Sequence, residues 1–442
     1  MTVALTLVKR THGALPPATA TPSNISQRFN YPACMSSTTA SFDNDAMTHF
    51  NIVVIGAGQA GLSAAGTLHR RGLVPGEDFA ILDGNAGPGG AWRHRWDALT
   101  LGRAHGVHDL PGFPLEHPDT WRPASEVVAE YYGAYEDHLG LEVIRPAKVR
   151  AVTQFHDELF YICTEAGDFT AAAVINATGT WETPNIPHYP GLEHFKGEQW
   201  HTKTFRDVED FRDQRVLVVG GGASATQFLM MLEDVTDHSI WVSRSLPRWN
   251  AEHFNPDWGR AVEQRVTTQV TAGYAPRSVV SNTGLALSRE ALAYIDRGTL
   301  VFRGFIDSFG THEVTINGPG PDGATVNSQG QAVDDLLRAG DPAVANLHDN
   351  AEVLPGYGTD IDHQWVTPID SILWGTGFQH SLGHLDPLDI RIGHGGVKVA
   401  RDGVTVPAQP GLFLVGYGAS ASTIGATRAG RKAAVAAIDY SS

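Results

Sequence analysis

With 442 residues, 42% hydrophobic and 18% charged, the chain has material for two cores and the balance of an ordinary globular protein. A formal net charge of −16 argues against a nucleic-acid partner and against docking on anionic lipid. The only cysteines, Cys34 and Cys163, lie far apart with no C-x-x-C spacing, so neither a redox dithiol nor a thiolate metal site is written, and no metal is expected.

Cys163 sits in an apolar run and reads as a small buried hydrophobe, which fits a reducing cytoplasm best. No eighteen apolar residues run together, so no membrane span is expected. The stretch Met1–Arg10 makes a poor signal peptide, because its charges follow the apolar run. Residues 1–46, rich in Thr, Ser, Ala and Pro, read as a disordered leader or as sequence upstream of a start at Met35 or Met47.

The fold is expected to begin near His49. The apolar run Phe50–Ile55 leads into Gly56-Ala57-Gly58-Gln59-Ala60-Gly61 and then into small, helix-compatible residues. That is a strand, a tight turn and a helix. Gly56 takes backbone angles closed to other residues, Gly58 lets a pyrophosphate approach, and Gly61 allows close helix–strand packing. The helix N-terminus would aim unpaired N–H groups at the phosphates. A second strand, Phe79–Leu82, ends in Asp83, 22 residues after Gly61, the spacing of a carboxylate that accepts ribose hydroxyls.

Further on, Gly87-Pro88-Gly89-Gly90-Ala91-Trp92 suggests backbone lying against a flat ligand. Trp92 and Trp96 either flank a ring system or belong to the core, and Arg95 is placed to meet phosphate. His105 lies in a Gly- and Pro-bearing loop, either solvated or lining a pocket. Val127, Val128, Tyr131, Tyr132 and Tyr135 recur at helical spacing and read as a core face. Strands are expected over Val143–Val152, which contains Val149, and over Phe160–Thr164. A buried strand then ends in the small residues Ala177-Thr178-Gly179, as a ligand crossing that edge requires. Pro184-Asn185-Ile186-Pro187 marks a domain boundary.

A second turn follows the apolar strand Arg215–Val219: Gly220-Gly221-Gly222-Ala223-Ser224-Ala225, a Gly-x-Gly-x-x-Ala. The next strand ends in Ser243-Arg244, where an arginine can pair with a 2′-phosphate that a carboxylate would repel. The first turn should therefore take FAD and the second NADPH; a solvated surface charge is the other reading of Arg244. Residues 246–364 show no clean period and read as loop-rich. Two glycine-ended strands close the chain, one running into Trp374-Gly375-Thr376-Gly377 and the other into Gly416. After them Thr423 opens a helix whose N-terminus would face the flavin ring.

The expected architecture is α/β: two Rossmann-like dinucleotide-binding domains, an FAD domain from 47–185 and 365–442 with an NADPH domain, 186–364, inserted into it. Between the turns, 164 residues apart from Gly56 to Gly220, Phe195-Lys196-Gly197-Glu198-Gln199-Trp200-His201-Thr202-Lys203-Thr204-Phe205 fits F-x-G-x-x-x-H-x-x-x-[FYW]. With this run, the chain resembles the class B flavin monooxygenases of the two-dinucleotide-binding flavoprotein superfamily over about residues 48–440.

The resemblance implies that NADPH reduces FAD, that dioxygen adds at flavin C4a, and that NADP⁺ stays bound while the peroxide attacks a soft nucleophile or a carbonyl. It implies N-, S- or C-oxygenation of a small organic substrate, without a catalytic triad. Phe195, Gly197, His201 and Phe205 would then act in the linker between domains. Leu99 and Leu101, in the run Arg95-Trp96-Asp97-Ala98-Leu99-Thr100-Leu101, and Val149 join the residues expected at the flavin. That run and Phe205-Arg206 depart from the Baeyer–Villiger pattern, so ketone oxygenation is the lesser expectation. Trp374 is expected to narrow the nicotinamide or substrate channel. An NADPH-dependent reductase or oxidase is the alternative, and a second copy of the chain is an admissible partner.

Overall fold

The computed structural model describes residues 47–442 apart from 105, 156–158, 248, 251–255, 277–283, 319–362 and 394. The leader, His105, the turn beyond Gly318 and the Thr423 side chain lie outside the described residues.

The first half builds one sheet. Strand β1 (Thr48–Ile55) runs through the Gly56–Gly58 turn into helix α1 (Gln59–Arg70), and β2 (Phe79–Leu82) returns parallel to β1. Helix α2 (Ala124–Leu139) buries Val127, Val128, Tyr131, Tyr132 and Tyr135, the face the periodicity predicts, and stops at Gly140 in the left-handed region. Then follow β3 (Val143–Ile144) and an antiparallel meander of β4 (Val149–Phe155), β5 (Leu159–Thr164) and β6 (Gly167–Asn176). The long β6 pairs β5 along its first half and β1 along its length.

The second half repeats the plan. Strand β7 (Glu198–His201) precedes β8 (Val216–Val219), the second glycine turn, α3 (Ala223–Leu232) and β9 (Ser239–Val242). The short strands β10 (Trp249–Asn250) and β11 (Leu285–Ala286) pair with each other, and α4 (Pro256–Thr271) and α5 (Arg289–Asp296) flank β11 in the chain. The meander β12 (Phe302–Phe309), β13 (Glu313–Asn317) and β14 (Gln364–Pro368) then leads to β15 (Ser371–Trp374). Last come β16 (Leu412–Leu414), parallel to the end of β6, and α6 (Thr423–Ser441).

The sheet orders are β3-β2-β1-β6-β5-β4, with β16 on β6, and β14-β13-β12-β9-β8-β15-β7. Each has a parallel core behind a glycine turn and an antiparallel meander. The architecture is α/β with two Rossmann-like units, the second inserted into the first. Strands β14 and β15 belong to the second sheet, and the chain returns to the first only after Trp374. The reason is that β15 must lie between β7 and β8 to complete that sheet.

Helix α6 ties the last segment to the first sheet. Ser63 Oγ donates to the Thr427 carbonyl at 2.7 Å and Gln59 Nε2 to Thr427 Oγ1 at 2.9 Å. A Cβ on Gly430 would fall 2.4 Å from the Ala60 carbonyl oxygen, so the two helices touch through bare backbone.

The two glycine turns solve one packing problem in opposite ways. In the first, the helix position is Gly61 and the strand end beside it is Ala177, whose Cβ lies 3.4 Å from where a Gly61 Cβ would be. In the second, the helix carries Ala225 and the strand end is Gly375; a Cβ there would meet Ala225 Cβ at 3.0 Å. In the first turn the tighter constraint is the Gly56 carbonyl oxygen, 1.8 Å from where a Gly61 Cβ would be. Gly375→Ala should cost about 1–3 kcal/mol in denaturant unfolding, because a Cβ there would also lie 3.0 Å from Ala225 Cα and 3.1 Å from its backbone nitrogen. A loss within about 0.5 kcal/mol of zero would show that the start of α3 yields freely.

Cys163 is buried in β5.

Candidate functional site

A cavity of about 610 Å³ opens at the carboxyl ends of β1, β2 and β6. That is within the usual range for small-molecule sites. Gly56, with φ +101°, makes the tight turn, and a Cβ on it would lie 2.6 Å from the Ala177 carbonyl oxygen. Gly90, in the left-handed region, lies so close to Gly58 that its Cβ would meet Gly58 Cα at 2.9 Å. No side chain caps the N-terminus of α1, whose first N–H groups are left for an anion. Bare backbone and an open helix end are what a pyrophosphate needs.

At the far side Asp83 is buried and lines the cavity. Its Oδ2 accepts from Arg145 Nε at 3.0 Å and its Oδ1 from Asn85 Nδ2 at 3.1 Å, leaving acceptor capacity for ribose hydroxyls. Arg145 also donates to both oxygens of Glu136, at 2.6 and 2.7 Å. Neither Arg145 nor Glu136 was marked by the sequence, although a buried carboxylate calls for a cation. Gln59, also on the wall, is held by Tyr132 Oη at 2.6 Å as well as by Thr427.

Of the residues expected at a flavin, Gly56, Gly58, Gln59, Ala60, Asp83, Gly90, Ala91, Trp92, Val149, Ala177, Thr178, Gly179 and Gly416 all line this cavity. Gly61 lies behind it, at the helix–strand contact. Four do not reach it. Trp96 and Leu99 are buried with Phe205 and Phe228 in the core beneath the second sheet, because the chain crosses over after the short helical turn Gly90–His94. Leu101 packs in the core around α1 and α2. Arg95 lies against the Trp92 and Trp181 rings, outside the cavity wall.

His384, absent from the sequence reading, does line the cavity. Its Nε2 donates to Asn176 Oδ1 at 2.7 Å, and burial pushes its pKa down to about 4, so the ring is neutral. Ser422 and Ser420 bring the start of α6 to the same wall. Ser422 Oγ accepts from the Gly425 N–H, so this helix end is capped by its own chain.

At the second turn Gly220 has φ +151°, and a Cβ on it would strike the Gly375 carbonyl oxygen at 2.2 Å. Gly222, Ala223 and Ser224 open α3 without a side-chain cap, a second helix end free for phosphate. Ser243 is buried at the end of β9, where its hydroxyl donates to the Ser245 carbonyl, and Arg244 beside it is exposed. No carboxylate pairs with Arg244 among the described residues.

The linker strands meet here. Asn185 N–H donates to the Gly377 carbonyl at 2.9 Å, Gln379 N–H to the Thr183 carbonyl at 2.8 Å, and Thr376 Oγ1 to the Asn185 carbonyl. The outgoing and returning chains are thus hydrogen-bonded side by side. His201, at the end of β7 and buried, sets its Nε2 3.1 Å from the Gly377 carbonyl oxygen, while its Nδ1 accepts from the Lys203 N–H. Burial lowers its pKa, and accepting at Nδ1 makes Nε2 the donor. Phe195 and Gly197 pack at the base of β7, where a Gly197 Cβ would lie 2.2 Å from the Asp370 carbonyl oxygen. Phe205 fills the core between Trp96 and Phe228. Trp374 is fully buried among Tyr189 and Phe309 with its Nε1 donating to Gln199, which corrects its expected place in a channel.

Among the described residues no group of three or more His, Cys, Asp or Glu could hold a metal ion, and no helix is long and apolar enough to cross a membrane.

These two nucleotide turns on paired α/β units define a class of flavoprotein-type oxidoreductase. The chain belongs to the pyridine nucleotide-disulphide oxidoreductase family, matched over residues 53–275, half of its length. Within it the likeness runs to flavin monooxygenases. A flavin-containing monooxygenase from Stenotrophomonas maltophilia is 29% identical, with a TM-score of 0.66 over 90% of this chain and 100% of that one. An uncharacterized CzcO-like oxidoreductase of Geobacillus kaustophilus is 30% identical over 193 residues, 44% of this chain and 53% of the relative. A Baeyer-Villiger monooxygenase of Streptomyces coelicolor is 32% identical over 209 residues, 46% of this chain and 39% of the relative. The chain thus spans about half or less of the length of these curated relatives.

Proposed function

We propose that the protein is a monooxygenase that uses FAD, NADPH and dioxygen to oxygenate a small organic substrate. The observation that carries this reading is the linker: His201 of the fingerprint grips the Gly377 carbonyl where the chain passes between the two nucleotide units. The residues present fit the flavin, because the cavity floor is bare glycine backbone and Asp83 stands at its ribose end. When bound, the flavin would accept hydride and activate dioxygen; that chemistry is the cofactor's own.

The chain's residues do the rest. Asp83 would hold the adenosine ribose, the open end of α1 the pyrophosphate, and Thr178 and Gly179 the edge of the ring system. His384, neutral at physiological pH, would present no positive charge to the ring and would keep its Asn176 bond. The open end of α3 would hold the coenzyme pyrophosphate, and Ser243 and Arg244 its 2′-phosphate. Trp92 and Trp181 would exclude water from the flavin edge. The domain limits that follow are 47–185 with 375–442 for FAD, and 186–374 for NADPH.

Oxygen mixed with enzyme reduced anaerobically by NADPH should yield oxygenated product in step with flavin reoxidation, in a screen of amines, thioethers, indoles and 2-oxo acids. Release of hydrogen peroxide alone with every substrate would favour a plain NADPH oxidase instead. Ketone oxygenation is the second reading, supported by the Streptomyces relative. The departure of Phe205-Arg206 from the Baeyer–Villiger pattern weighs against it.

Arg244→Ala should weaken NADPH by about 1.5–3 kcal/mol, the worth of a charge-assisted contact, and leave NADH nearly unchanged. Equal losses for both coenzymes, measured by anaerobic flavin reduction, would show that the residue does not read the phosphate.

A further inference from the structure

Among the described residues Arg95 is a cation without a counterion. It sits one residue past the short helical turn that walls the flavin cavity, with its Cζ 4.4 Å from the Trp181 ring centroid and 5.9 Å from that of Trp92. Its Nε is buried and has no hydrogen-bond partner. No carboxylate pairs with it among the described residues, whereas Arg145, similarly placed on the other side of the cavity, has two. Burial alone pulls its pKa down to about 10, and it remains charged at physiological pH. Stacking on two indoles recovers only part of the hydration that such a guanidinium loses.

Its surroundings place it where the two units meet. Trp181 stacks on Phe378 at 4.9 Å, and Phe378 lies edge-on to His201 at 5.0 Å, beside the crossing linker strands. The next residue, Trp96, packs on Phe228 of α3, the helix whose N-terminus opens at the second turn. The flavin cavity itself does not include Arg95. Both rings that hold it, Trp92 and Trp181, do line that cavity.

We propose that Arg95 binds an oxyanion at this junction of the two units, a carboxylate of the substrate or a phosphate of the coenzyme, with its planar fork held by Trp92 and Trp181. A fork of this kind suits either group, because both offer two coplanar oxygens. This rests on the reading of the junction as the place where flavin and coenzyme meet.

The test uses the FAD-loaded protein, with flavin absorbance and tryptophan fluorescence as readouts. Wild type, Arg95→Met and Arg95→Lys are titrated with benzoate, with the uncharged benzyl alcohol and with NADP⁺. Arg95→Met should keep its flavin and weaken benzoate or NADP⁺ at least tenfold, with benzyl alcohol unmoved. Arg95→Lys, which keeps the charge and loses the fork, should fall between and stands in if the Met variant does not fold. A loss confined to benzoate assigns the site to the substrate; one confined to NADP⁺ assigns it to the coenzyme; loss of both assigns it to each in turn. Unchanged affinities for both anions would overturn the inference. So would loss of flavin from both variants, since the guanidinium would then serve the cofactor. Wild-type protein that binds no flavin would instead sink the proposed function, so the two failures are distinguishable.

Discussion

Gly61→Ala should give protein that emerges from purification without flavin, or binds FAD at least 100-fold more weakly, a loss of about 2.8 kcal/mol. The added methyl carbon would lie 1.8 Å from the Gly56 carbonyl oxygen and 2.9 Å from its carbonyl carbon. Both atoms are backbone, so no side chain can swing aside. Either α1 moves off the sheet or the Gly56 turn opens, and each displaces the N–H groups that would face the pyrophosphate. Alanine is native at the matching position of the second turn, Ala225. Small size alone is therefore no guarantee. FAD affinity measured by quenching of flavin fluorescence decides the matter: unchanged affinity in Gly61→Ala would mean that the turn does not hold the cofactor.

Arg145→Met should lower stability to denaturant by about 3–5 kcal/mol, the usual cost of stripping one partner from a buried ion pair. Arg145, Asp83 and Glu136 have side chains only 11%, 6% and 10% exposed, so the carboxylates left behind could not be rehydrated in place. The loss should also reach the cofactor, because Arg145 holds the Asp83 carboxylate that lines the cavity. Replacing Glu136 by Leu in the same protein removes one orphaned charge and should restore part of the stability without restoring FAD affinity. A loss below about 1 kcal/mol would show that water reaches the carboxylates and that the network is a surface feature.

The elements legible from sequence are those whose physics is local. A β-branched run ending in Gly-x-Gly-x-x-Gly specifies strand, turn and helix with no help from the rest of the chain, and both nucleotide turns stand where that pattern puts them. The helical spacing of Val127 to Tyr135 likewise marks a buried face. What the pattern could not convey is which core receives a buried residue. Trp96 and Leu99 are apolar and buried as composition suggests, but they pack under the second sheet. Trp374 is a core residue for the same reason: its strand is covered on both faces. Arg145, the cation that pairs with Asp83, lies 62 positions on in sequence, and Glu136, which shares that cation, lies 53 positions on; nothing local joins them.

The central claim is that two successive nucleotide folds each grip an adenine cofactor, so that hydride passes from a phosphorylated nicotinamide to a flavin between them. Anaerobic mixing of the FAD-reconstituted protein with NADPH tests it most directly. The account predicts one FAD per chain, rapid and complete bleaching of the oxidised flavin's visible absorbance by NADPH, and much slower bleaching by NADH. Protein that takes up no FAD, or whose flavin keeps its oxidised spectrum under excess NADPH, would contradict it.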